Sequence, residues 1–191
     1  MPSHGPKGTR ARGGAGKPKV GKLVGAAVEA AAKKPKKRLP APAVTRNNDL
    51  PEFTLRIKQK ASYKKGPFQR KFNALKKLSD DGKLFKQANP LDKDPEITKA
   101  YRKRVRDAIL AKYWPDGGRA TPEGKAMANK LLERLRNTDA DHVWDPQLGG
   151  ADHASNLRLL DSHTNQDMGN EIWQQIKDLP DGTPIRIELV P

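Results

Sequence analysis

The feature that most limits what this chain can fold into is a change of hydrophobic period at about Asn137. Before that point apolar residues recur every three or four positions, as on helices; after it they fall in short alternating runs, as on strands. Phe68, Phe72, Leu75 and Leu78 make one apolar face, with Arg70, Lys71, Lys76 and Lys77 expected outside it. Asp94 and Pro95 read as N-cap and first-turn proline of a second helix that carries Ile97, Tyr101, Val105 and Ile109 as far as Trp114-Pro115. Thr121-Pro122 opens a third, aligned on Met127, Leu131 and Leu135. Beyond Asn137, His142-Val143-Trp144 and Asn156 to Leu160 are strand candidates on either side of a Gly149-Gly150 loop. Ser162 is expected to cap a helix through Ile172, Trp173 and Ile176, and Ile185, Ile187 and Leu189 alternate as a last strand. The expected class is α+β, a mainly helical region followed by strand, loop, strand, helix and a C-terminal strand.

Residues 1–48 are dominated by Gly, Pro, Ala, Lys and Arg, including the run Lys33 to Arg38, and cannot bury enough apolar surface to fold alone. They are expected to form a disordered basic arm without catalytic residues. Residues 49–191 are expected to make one domain, divided into helical support over 49–137, the strand–loop–strand–helix unit over 138–178 and the final strand over 183–190. The longest apolar stretch, Leu23 to Ala32, is too short to span a bilayer, and no signal peptide is evident. The absence of cysteine excludes disulfides, Cys-ligated zinc, iron–sulfur clusters and thiol nucleophiles.

Charge is unevenly distributed. The chain carries 38 Lys and Arg against 22 Asp and Glu, a formal +16. From Thr138 to Pro191, however, ten acidic residues stand against three basic ones, a net −7, which leaves +23 for the remainder. The basic part suits a polyanion, and the acidic part suits a cation. Arg102, Lys103 and Arg106 on the second helix, with Lys130 and Arg134 on the third, are the candidate phosphate contacts; a solvated surface is the plainer role of such faces.

Asp141-His142 closes the first strand, Gly149-Gly150 sits in the loop, Asn156-Leu157 opens the second strand, and Asn165 falls in the first turn of the following helix. This pattern resembles the HNH, or ββα-metal, endonucleases: Asp-His, a Gly-Gly loop, Ser155-Asn156-Leu157 with Leu159-Leu160, then a closing Asn on a helix. Within that group, the stretch from Asp141 through Gln147-Leu148-Gly149-Gly150 and Leu160-Asp161-Ser162 to Asn165 and Gly169 is most similar to nuclease toxin domains at the C-termini of bacterial polymorphic and secreted effectors. The resemblance covers about Asp139 to Ile176. Many HNH domains also hold a structural zinc with two Cys-x-x-Cys pairs, the second of which falls at Asp161 and Thr164 here, so no structural zinc is expected.

Phosphodiester hydrolysis needs an activated water, neutralisation of charge on the phosphorane and help for the departing 3′ oxygen. His142 is the candidate general base, because an imidazole titrates near neutral pH. The resemblance implies Asp141 and Asn165 as ligands of a divalent metal; His163 and Asp167, one helical turn apart, are an alternative pair by spacing, for which a surface hydrogen bond is the plainer role. The resemblance also implies Asn156 as the residue that hydrogen-bonds across the loop and orients the base. Two oxygen ligands favour Mg²⁺, or another divalent ion such as Mn²⁺, over Zn²⁺. DNA is the expected substrate, cut with low sequence specificity, and RNA is the alternative. The toxin resemblance further implies a bacterial protein delivered into target cells and neutralised by an immunity protein. Two other readings stay open: a non-catalytic basic nucleic-acid-binding protein, and an HNH nuclease of a phage or mobile element. His153 lies in the loop, and Trp144 and Trp173 are assigned to the core.

Overall fold

Phe53, Leu55 and Ile57 alternate with polar neighbours, the period of a half-buried strand, and they form β1 (Phe53–Lys58) just where a helical pattern was expected to begin. A computed structural model describes residues 44–88, 93–115 and 120–191; most of the expected basic arm lies outside the described residues. After β1 come α1 (Lys65–Asp80), α2 (Pro95–Tyr113), α3 (Pro122–Arg136), β2 (Thr138–His142), β3 (Leu157–Asp161), α4 (Ser162–Ile176) and β4 (Ile185–Val190). Among the described residues the architecture is α+β, four helices with two two-stranded sheets. No helix among them is long and apolar enough to cross a membrane.

β1 and β4 pair in parallel, with Phe53 opposite Ile185, Leu55 opposite Ile187 and Ile57 opposite Leu189. Parallel pairing requires a crossover, and here almost the whole domain lies between the two strands. Leu55, Ile57, Ile185 and Ile187 pack against Phe68, Phe72 and Leu75 of α1 and Met168, Ile172 and Ile176 of α4 to make a first core. Trp144 and Trp173 pack against its edge. A second core joins Tyr101, Val105 and Ile109 of α2, Ala128, Leu131 and Leu135 of α3, and Leu157 of β3. The α2–α3 pair starts as its caps dictate. The Asp94 carboxylate accepts from Glu96 N and the Thr121 hydroxyl from Gly124 N, each followed by a proline that has no N–H to lose.

β2 and β3 form an antiparallel hairpin with Asp141 opposite Arg158 and His142 opposite Leu157. Cross-strand partners share a face. His142 therefore lies on the side of Leu157, which enters the second core, while Asp139 and Asp141 lie on the opposite side with Leu160 and Arg158. The strands differ in extent from the expected ones, since β2 ends at His142 instead of beginning there. Val143 and Trp144 have already turned into the loop, their backbone N–H groups bonded to the Asn156 carbonyl and the Asn156 side chain. Asp161, not Ser162, caps α4: its carboxylate accepts from Thr164 N at 3.2 Å.

The β1–β4 register makes a paired prediction. Ile187 is fully buried while Leu189, two residues on, is 50% exposed. Ile187→Ala should cost about 2–5 kcal/mol, and Leu189→Ala should stay within about 0.5 kcal/mol, read from urea denaturation midpoints; equal losses would contradict this register.

Candidate active site

The hairpin, its loop and the first turn of α4 place the candidate side chains in separate groups: His142 with Asp152 and Asn156 around the loop, and Asp139 with Asn165 on the other side of β2. Asn156 is the central clamp. Its Oδ1 accepts from Trp144 N at 2.9 Å, and its Nδ2 donates to the Trp144 carbonyl at 2.8 Å and the Ala151 carbonyl at 2.9 Å. One side chain thereby ties both ends of the loop to the start of β3. The loop itself winds tightly: Asp145 caps the turn at Pro146–Leu148, and the Asp145 carbonyl accepts from both Leu148 N and Gly150 N. Gly149 adopts φ +91°, with its open side against the Phe85 ring, and a Cβ on Gly150 would stand 1.9 Å from the Trp144 carbonyl oxygen. Both positions accept only glycine without the loop moving.

His142 is buried at the end of β2, and its Nε2 lies 2.8 Å from Asp152 Oδ1. A hydrogen bond from the ring to this carboxylate places a ring hydrogen on Nε2. The other oxygen of Asp152 accepts from Asp94 N at 2.7 Å, where α2 begins. The imidazole is thus held through a carboxylate that is itself anchored to the helical pair.

Asp141 and Asn165 are not hydrogen-bonded to each other. Asn165 Nδ2 donates to Asp139 Oδ2 at 3.2 Å, two residues before Asp141 on the same face of β2. Asp139 also accepts from Ser162 Oγ at 2.8 Å and Gln166 Nε2 at 3.1 Å. Burial pushes the Asp139 carboxyl up, but the hydrogen bonds from Asn165, Ser162 and Gln166 outweigh it and hold the group below the ordinary carboxylate range. Asp141 has a different partner. Lys71 Nζ lies 2.6 Å from Asp141 Oδ1 and 2.6 Å from the His142 carbonyl, with Asp145 Oδ2 at 3.8 Å. The Lys71 side chain is 3% exposed, which corrects the expectation that it stays outside the α1 face. Burial still raises the Asp141 carboxyl above its ordinary value, more than Lys71 lowers it.

The remaining candidates take other places. Asp167 accepts from Lys60 Nζ at 2.6 Å and Tyr63 Oη at 2.7 Å, while the His163 ring stands edge-on to Tyr63. Arg102 donates to the Leu135 and Thr138 carbonyls, so it ties α2 to the end of α3 and the start of β2. Lys103 and Arg106 both pair with Asp107. Lys130 and Arg134 line a cavity beside Asp141. Lys71, Asp139 and Asp152 are the site residues that the sequence reading missed. For Lys71 a signal exists, since it stands three residues after Phe68 and four before Leu75, inside the apolar stripe.

A hard divalent ion takes oxygen donors, and the α4 side of β2 offers them. Asp139 receives hydrogen bonds from neutral groups, the Asn165 amide oxygen has no hydrogen-bond partner among the described residues, and Lys71 bonds only one oxygen of Asp141. These are oxygen donors of the kind Mg²⁺ or Mn²⁺ takes, but among the described residues no three His or acidic side chains are grouped as a metal site, and Asp141 already holds the Lys71 ammonium. Comparison with family models, curated proteins and solved structures gives no match.

Lys71→Met removes the cation from a buried pair and should cost about 3–5 kcal/mol near neutral pH. Without the ammonium the Asp141 carboxyl rises further. Its charged form is then disfavoured in the fold, and the penalty grows as pH rises above the ordinary carboxylate value. Denaturation at pH 4 and pH 7 should therefore show a smaller loss in acid; a loss independent of pH would mean that the pair is not ionic.

Proposed function

We propose that this chain is a metal-dependent nuclease of the HNH type, hydrolysing phosphodiester bonds of DNA with low sequence specificity. The reading is carried by one observation: a single strand–loop–strand–helix unit carries a histidine held by a carboxylate, an asparagine that clamps the loop and, on the opposite side of the same strand, an asparagine bonded to Asp139. In this reading a water attacks phosphorus and gives its proton to Nδ1 of His142; the new O–P bond forms as the bond to the 3′ oxygen breaks. Asp152 is a positioning residue that keeps Nε2 protonated, fixes the ring plane and offsets the charge that develops on the imidazole. Asn156 fixes the loop on which Asp152 stands. Asp141 and Asn165, with Asp139 beside Asn165, are the groups to hold the divalent ion, which when bound supplies neutralisation of the charge on the phosphate and the departing oxygen. Low specificity follows from the lack, among the described residues, of an element suited to read base edges. The toxin resemblance extends the proposal to a protein delivered into target bacteria and countered by an immunity partner.

One observation favours a second reading, a non-catalytic nucleic-acid-binding protein: the Lys71 ammonium already gives Asp141 a cation. Plasmid DNA and total RNA, each incubated with Mg²⁺, Mn²⁺ or EDTA, separate the two. Metal-dependent nicking or degradation is expected, and His142→Ala should reduce it by about 100-fold or more while leaving salt-sensitive binding intact. Mobility retardation without cleavage in either metal would leave the binding reading standing and remove the nuclease.

A further inference from the structure

A cavity of about 1040 Å³ opens between α1, α3 and the β2–β3 hairpin. Its two kinds of wall suit different parts of one ligand. Val105, Ile109 and Leu131, from the second core, together with Leu159, give it an apolar side. Arg70, Lys130, Arg134 and Arg158 are exposed on its rim, and none of the four has a carboxylate within ion-pair distance among the described residues. The carboxylates that share the lining are mostly spent: Asp141 pairs with Lys71 and Asp161 with Lys64, leaving Glu133 as the one acid there without an ion pair among the described residues. By contrast, the α2 cations Lys103 and Arg106 face Asp107.

We propose that this cavity seats an unpaired stretch of nucleic acid, its phosphates on Arg70, Arg134 and Arg158 and a base against the apolar wall. Guanidinium groups pair phosphate oxygens two at a time, which places a backbone where ammonium groups would only attract it. The volume is at the upper end of ligand pockets, roughly 300–1,000 Å³, so a nucleoside fits with its sugar. A duplex keeps its bases stacked inside and cannot present one to an aliphatic wall, so the cavity favours single strands or locally opened ones. Asp141 lies in the same lining, which puts the seated strand next to the acidic face of β2. The proposal rests on the nuclease reading for what the bound strand is for: it names the substrate as single-stranded or locally melted nucleic acid.

The test is fluorescence anisotropy with the full chain in EDTA, using a labelled oligothymidine strand, a duplex of the same length and an abasic strand of the same length. The base-bearing strand should bind at least ~10-fold more tightly than either of the others at equal salt, the worth of about one seated base. Arg70→Gln with Arg134→Gln should abolish that preference, whereas Lys58→Gln with Lys177→Gln, exposed cations away from the cavity that remove the same charge, should preserve it. Equal binding of duplex, abasic strand and base-bearing strand would overturn the proposal. So would displacement of the strand by an acidic polyglutamate peptide as effectively as by unlabelled strand, which would point to an acidic protein partner. Because EDTA silences any metal-dependent cutting, a base-dependent and arginine-dependent preference without cleavage in Mg²⁺ would keep the cavity assignment and remove the nuclease; cleavage without the preference would do the reverse.

Discussion

The buried ammonium of Lys71 is the interaction on which the arrangement of the two halves depends. An amine of this kind is expensive to take out of water, and it persists in a folded interior only when oxygens surround it closely. Here the oxygens all come from the β2 end and the loop after it: the Asp141 carboxylate, the His142 carbonyl and, further off, Asp145. α1 presents Lys71 on the same stripe as Phe68, Phe72 and Leu75, which enter the first core. The helix cannot rotate to expose the amine without withdrawing those side chains, and the hairpin cannot slide without leaving the amine unpaired. Register between α1 and the acidic strand is therefore set by charge, where apolar packing alone would tolerate drift.

The hairpin lies between two environments. Its Leu157 side belongs to the second core, and its Asp139–Asp141 side faces α4 and α1. His142 and Asp141 are neighbours in sequence but point apart because successive side chains on a strand alternate. β2 stops at His142, and both side chains are buried there. Asn156 matters here because a loop that leaves the strand end must be held without adding further strand, and three side-chain hydrogen bonds from one amide do this.

Legibility in the sequence followed the range of the interaction. The helices α2 and α3 announce themselves through local chemistry, Asp94-Pro95 and Thr121-Pro122, and begin there. The strand–loop–strand–helix order and the final strand were likewise visible from periodicity, although the limits of β2 shifted because the loop captures Val143 and Trp144. β1 was missed although its alternation is plain in retrospect, since a short run of three apolar residues before a strong helical stripe is easily absorbed into it. The contacts that organise the site were not legible at all: Asp152 reaches His142 only once the Gly149-Gly150 loop has folded, and Lys71 reaches Asp141 only once α1 has docked. No window along the chain contains either pair's geometry.

The same distinction governs the charge. A formal +16 is what remains after 22 acidic residues are set against 38 basic ones, and among the described residues many of those cations stand directly against a carboxylate. Lys76 meets Asp80, Lys77 and Lys83 meet Asp81, Lys103 and Arg106 meet Asp107, and Lys60 meets Asp167 and Glu171. Exposed pairs of this sort add little stability, but each removes a cation from the field that a polyanion would feel. Arg102 spends its guanidinium on backbone carbonyls. The attraction left for a phosphate backbone therefore comes from fewer groups than the composition suggests, and its direction is set by where the unneutralised ones lie. Arg70, Lys130, Arg134 and Arg158 line one opening beside the acidic strand, so the net charge of the chain is a poor guide to where a polyanion would be attracted.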